Sequence, residues 1–118
     1  MTLIIGGAGQ GKLRYALELS GLDASQVCDS PEENKPILNH LETWLKRSEH
    51  PLPVLEAFLT KRPDAVILCD EVGCGVVPMD REDRAWRERV GRTCCTLAER
   101  ADRVVRVYCG IPMVLKGE

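Results

Sequence analysis

Residues 2–13 read TLIIGGAGQGKL, an apolar run that breaks into glycines and ends on a lysine. From Gly6 the spacing is G-x-x-x-x-G-K, completed by Gly7, Ala8, Gly9, Gln10, Gly11 and Lys12. Glycines let successive backbone amides curl inward with no Cβ in the way, and such a concavity binds anions. A helix opening directly behind it adds the positive end of its dipole. Lys12 then supplies a point charge toward the outer phosphates of a nucleotide. The residue after the lysine in this motif is a serine or threonine, whose hydroxyl ligates magnesium. Here it is Leu13. That change removes one of about six magnesium ligands and leaves the phosphate cradle itself intact.

The rest of the chain organises around this loop. Lys12–Ser20 reads as a helix ended by Gly21, and residues 26–29 as a short strand. The polar segment 30–35, with Pro31, reads as a loop. Ile37, Leu38, Leu41, Trp44 and Leu45 recur at spacings of three and four, which predicts an amphipathic helix over 36–48 that Pro51 and Pro53 interrupt. Residues 54–61 predict a further helix. AVILC, residues 65–69, is continuously apolar, as in a strand covered on both faces. DEVGCGVVP, residues 70–78, is a glycine-rich loop. A long helix is expected over 81–102, with Trp86, Val90, Cys94, Leu97 and Ala101 on one stripe. Residues 103–109 alternate as a strand, 110–112 turn, and 113–116 form a last strand.

Strands alternating with helices predict an α/β domain, 1–118, with a mostly parallel sheet flanked by helices. Ligands then sit at the carboxyl ends of the strands, where both glycine loops emerge. Behind the second apolar strand stands Asp70–Glu71. An acidic pair at that position suits magnesium and an attacking group. Asp70 is the candidate metal ligand, and Lys12, Asp70 and Glu71 are the candidate catalytic residues.

The bulk properties narrow the partners. The chain has 118 residues, 44% apolar and 29% charged, with aromatics at 4%, so its core is built from Val, Leu, Ile and Ala. A net charge of −2 gives no electrostatic reason to bind nucleic acid or an anionic membrane. No apolar run approaches the ~20 residues of a membrane span. The opening residues lack a basic leader, so a cytoplasmic location is expected. The six cysteines then read as thiols, mostly small buried hydrophobes, with a thiol or zinc cluster at one sheet edge as the alternative. Asp83–Arg87, Arg84–Glu88 and Glu88–Arg92 read as i,i+4 pairs on a solvated helix face.

Several stretches together resemble the adenosylcobinamide kinase/adenosylcobinamide-phosphate guanylyltransferase family. The family's E-V-G-x-G-x-V-P is met by Glu71, Val72, Gly73, Gly75, Val77 and Pro78. Its arginine-rich helix start is met by Arg81, Arg84 and Arg87. Its L-A-x-x-A-D-x-V is met by Leu97, Ala98, Ala101, Asp102 and Val104, its G-I-P by Gly110–Pro112, and its G-G-A-x-x-G-K by Gly6, Gly7, Ala8, Gly11 and Lys12. The resemblance implies a P-loop NTPase-like fold, a nucleotide (ATP or GTP) with Mg2+, and adenosylcobinamide as a second ligand. This sequence departs from the pattern at Leu13, at Cys94–Cys95 where the family has Asn-Gln, and in a much shorter middle. His40, in LNHLETW, does not match the segment carrying the family's guanylylated histidine. The expectation is therefore an adenosylcobinamide kinase-like protein without the guanylyltransferase activity. The alternative is a catalytically impaired nucleotide- or corrinoid-binding partner in the same pathway. Homo-oligomers are expected, because so short a chain leaves apolar sheet faces exposed.

Overall fold

The computed structural model describes residues 1–72 and 80–117. Gly73, Gly75, Val77 and Pro78 of the second glycine loop, with Cys74, lie outside the described residues. Among these residues six strands form one sheet: β1 Thr2–Gly6, β2 Val27–Cys28, β3 Ile37–Leu38, β4 Val66–Asp70, β5 Arg103–Tyr108 and β6 Ile111–Lys116. Their order is β2-β3-β4-β1-β5-β6. All neighbours are parallel except β5 and β6. The helices are α1 Lys12–Ser20, α2 Leu41–Trp44, α3 Pro51–Lys61 and α4 Arg81–Arg100. The expected α/β architecture is present. Among the described residues, no helix is long and apolar enough to cross a membrane.

Strand alternation sorts the core into two layers. On one face Leu3, Leu38, Ile67, Cys69 and Val104 pack with Leu41, Trp44 and Leu45 from α2 and its C-terminal cap, Leu55, Phe58 and Leu59 of α3, and Val90 and Leu97 of α4. On the other, Ile4, Ile37, Val66, Leu68, Val105 and Val107 pack with Ala16 and flanking residues of α1. Both faces are covered, so β1 and β4 are apolar almost throughout, as parallel strands require. Each such Leu, Ile or Val contributes about 1.5–3 kcal/mol of transfer free energy. The predicted stripe of α4 faces this core, from half-buried Trp86 and Cys94 to buried Val90, Leu97 and Ala101.

The expected helix over 36–48 is not formed. Ile37 and Leu38 instead make β3, paired to β2 on one side and β4 on the other. His40 then takes a left-handed conformation (φ 55°), and only Leu41–Trp44 is helical. The helical spacing was a coincidence of register. A two-residue strand buries one residue in each layer, and a single helical turn behind it continues the count. Pro51 does not break a helix but starts α3, and Pro53 follows in its first turn, where the missing N–H has no partner to lose. The C-terminal turn also shifts. Cys109 (φ 51°) and Gly110 (φ 75°) link Tyr108 to Ile111, a two-residue hairpin with both residues left-handed. β6 therefore begins at Ile111.

Candidate functional site

β1 and β4 run in register to their carboxyl ends, which brings Gly6 beside Asp70. The Glu71 amide donates to the Gly6 carbonyl at 2.8 Å. A Cβ on Gly6 would lie 2.5 Å from the Val107 carbonyl oxygen of the neighbouring strand β5, so glycine is required for the chain to leave there. The loop then turns through Gly9 (φ 71°) and Gly11 (φ 94°), both left-handed. Gly11 caps α1 without a side chain, so the first amides of that nine-residue helix face the loop.

Lys12 folds back over this turn. Its ammonium donates to the Gly7 carbonyl at 2.7 Å and lies 2.6 Å from Asp70 Oδ1, with the side chain 7% exposed. The structure thus brings together Gly6, Gly7, Lys12 and Asp70. Ala8 and Gly9 are exposed on the rim, and Gln10 and Gly11 are half-buried. Leu13 points its side chain at the α1 layer of the core, where it packs as an ordinary apolar residue. Glu71 adjoins Asp70, but both its oxygens are engaged by Arg106, at 2.7 and 3.1 Å.

The loop is tied to the β5–β6 hairpin. The Gly110 amide donates to the Gln10 carbonyl at 2.8 Å, and the Cys109 amide donates to Gln10 Oε1 at 2.6 Å. Between loop and hairpin lies an open groove of about 600 Å3, bordered by Gly9, Gln10, Gly11, Arg14 and Pro112.

Glu42 and Arg106 were missed from sequence. Glu42 is buried, and its Oε1 accepts the Asp70 amide at 2.8 Å. A single glutamate within LNHLETW carries no motif. Arg106 occupies a polar position of an alternating strand, and nothing in its spacing names Glu71 as partner. His40 caps α2 and is half exposed, with Nδ1 3.7 Å from Glu42 Oε2. His50 is exposed at the start of α3. Arg81 and Arg84 are exposed at the start of α4, while Arg87 and Arg92 make the expected pairs to Asp83 and Glu88.

The cysteines divide. Cys28 and Cys69 are buried, Cys94 is half-buried, and Cys95 and Cys109 are exposed. The expectation of buried thiols therefore fails for the last two, which occupy a solvated helix face and a hairpin turn. The Cys69 thiol donates to the Asp70 carbonyl at 3.5 Å. Interaction between the two thiols lowers the Cys94 pKa and raises that of Cys69, with burial pushing Cys69 further up. Among the described residues no cluster of three or more His, Cys, Asp or Glu could hold a metal.

Residues 33–115 match the CobU family, described as cobinamide kinase / cobinamide phosphate guanyltransferase. The match runs from just before β3 into β6 and begins after the glycine loop. The bifunctional adenosylcobalamin biosynthesis protein CobP of Pseudomonas aeruginosa is 38% identical over 53 residues. That segment is 45% of this chain and 31% of CobP, so the chain aligns with about a third of that relative's length.

Proposed function

Because the chain belongs to the cobinamide kinase / cobinamide phosphate guanyltransferase family, we propose that it is a nucleotide-dependent adenosylcobinamide kinase-like protein of cobalamin biosynthesis. The observation that carries this reading is the place of Lys12, a buried ammonium closing a glycine loop against the carboxylate of the neighbouring strand. Buried lysines are rare unless paired. This one sits at the switch point of the sheet, where β1 feeds α1 on one face and β4 feeds α4 on the other.

In this proposal the amides of Gly7–Gly11 and the start of α1 bind the β- and γ-phosphates of ATP or GTP. The donors suit a polyphosphate: two left-handed glycines, a helix start and one ammonium. Lys12 exchanges part of its contact with Gly7 and Asp70 for phosphate oxygen. Asp70 holds Mg2+, directly or through water, and Leu13 contributes no oxygen. When bound, the ion neutralises charge that develops on the phosphoryl group. Glu71, clasped by Arg106, braces the end of β4, which leaves Asp70 as the carboxylate beside the reacting groups. The hydroxyl acceptor is the aminopropanol arm of adenosylcobinamide. We assign no guanylyl transfer to either histidine.

A second reading is favoured by one observation. Leu13 is packed into the core where the motif carries a magnesium-binding hydroxyl. The protein would then bind nucleotide or corrinoid as a regulatory or assembly partner without turnover. We also propose self-association through the β6 edge, where Ile111, Val114 and Leu115 are exposed.

Calorimetric titration with ATP and GTP, with and without Mg2+ and adenosylcobinamide, tests both readings. The kinase reading expects binding that Lys12→Ala abolishes, together with transfer of γ-labelled phosphate to adenosylcobinamide. Binding without transfer supports the second. No association at millimolar nucleotide rejects both nucleotide readings.

A further inference from the structure

We infer that Glu42 is the positioning residue for Asp70, holding its peptide so that the carboxylate can serve a metal–nucleotide ligand; the inference rests on the nucleotide reading above. Glu42 is 6% exposed. A carboxylate removed from water costs several kcal/mol unless its oxygens are hydrogen-bonded. Its neighbours Leu41, Trp44 and Leu45 are buried apolar residues, so packing alone asks for no charge here. Its Oε1 accepts the Asp70 amide at 2.8 Å, while His40 Nδ1 lies 3.7 Å from Oε2.

The need for that acceptor follows from the sheet. β3 is only two residues long, and its pairing with β4 ends at Leu38 and Ile67. Among the described residues, the last residues of β4 therefore have no strand on that side, although they still pair with β1 on the other. Glu42 supplies the acceptor that a longer β3 would have given. A hydrogen bond to an ionised acceptor is about twice as strong as a neutral one. Glu42 is held in turn. Thr43 Oγ1 donates to its Oε2 at 3.0 Å, and Trp86 Nε1 of α4 donates to its carbonyl at 2.7 Å. The peptide that aims Asp70 at Lys12 is thus set by the side chain of a residue whose backbone is tied from α2 to α4.

The test compares Glu42→Ala, Glu42→Asp and Glu42→Gln with the unsubstituted chain, measuring ATP affinity by calorimetry with Mg2+ and with EDTA, and urea stability in parallel. Alanine removes the acceptor, aspartate draws it back by one methylene, and glutamine keeps an oxygen in place. Metal-free ATP affinity should stay within about twofold in all four. The gain in affinity on adding Mg2+ should fall at least tenfold in the alanine and aspartate variants and return in glutamine. The inference is overturned if alanine or aspartate keeps the gain, or if both lose affinity equally with and without metal. It is also overturned if glutamine fails to rescue, or if the unsubstituted chain binds ATP with no gain from Mg2+. Should alanine not fold, aspartate against glutamine decides. An unsubstituted chain that binds no ATP at all overturns the nucleotide reading, and this inference with it.

Discussion

Lys12 and Asp70 form an ion pair at 2.6 Å in which the lysine is 7% exposed and the aspartate 25%. The asymmetry decides what each substitution costs. Without Asp70, a nearly buried ammonium keeps, among the described residues, only the Gly7 carbonyl as partner. Without Lys12, Asp70 hydrates through its exposed side. Asp70→Ala should therefore destabilise by about 2–3 kcal/mol, toward the low end for breaking buried pairs. Lys12→Met, which keeps the apolar stem, should cost about 1 kcal/mol. Urea unfolding of the two variants measures the difference. The reverse ranking would mean that the pair is solvated in solution.

Gly6 and Gly9 differ in why they are glycine. Gly6 has no room, since an added Cβ meets the Val107 carbonyl oxygen at 2.5 Å. Gly9 has open space around it but a φ of 71°. Gly6→Ala must push β1 from β5 and should cost about 2–3 kcal/mol, as overpacking does. Gly9→Ala should cost about 1 kcal/mol of backbone strain with the sheet intact. Denaturation midpoints rank the two, and amide exchange along β1 and β5 should rise only in the first.

Much of the sheet was legible because its strands are either continuously apolar or alternating and its loops carry glycine. β1, β4, α1 and the stripe of α4 all follow from such local patterns. β3 was not legible. Two residues are too few to show a period, and the turn behind them mimics a helix. The glycine loop and Asp70 could each be read alone, yet their meeting depends on β1 and β4 being neighbours, which comes from topology. Glu42 and Arg106 act across elements distant in sequence, so no spacing reports them. Gln10 was read as a residue of the phosphate-binding loop; that its side chain and carbonyl also grip the hairpin depends on where β5 and β6 lie, which no spacing reports.

The Cys69–Cys94 contact predicts an unequal pair of thiols. Interaction with the Cys69 thiol lowers the Cys94 pKa, while that of Cys69 is raised. At fixed pH, a lower pKa means more thiolate and faster alkylation. Cys94 should therefore be alkylated by iodoacetamide at a lower pH than in a Cys69→Val variant, where that interaction is gone. Rates read from the Cys94 peptide by mass spectrometry between pH 7 and 9 give the comparison. An unchanged Cys94 profile in that variant would show that the two sulfurs do not interact.

The hairpin at Cys109–Gly110 links stability and ligand binding through separable groups. Both turn residues are left-handed, a geometry that favours Asn-Gly. Cys109→Asn should raise stability by about 0.5 kcal/mol, and because Gln10 grips the backbone amide of residue 109, the loop should be unaffected. Gln10→Ala removes the side-chain half of that grip and leaves the Gly110 amide on the Gln10 carbonyl. The loop then spends more time away from its nucleotide-ready shape, and ATP affinity should fall about fivefold, or roughly 1 kcal/mol. Urea stability should change by less than about 0.5 kcal/mol, as expected for a half-exposed side chain. Calorimetry on the two variants and the double variant completes the cycle. If Cys109→Asn weakens ATP binding as much as Gln10→Ala does, the hairpin acts on the loop through the cysteine side chain, and the grip of Gln10 on the hairpin amides is not what shapes it.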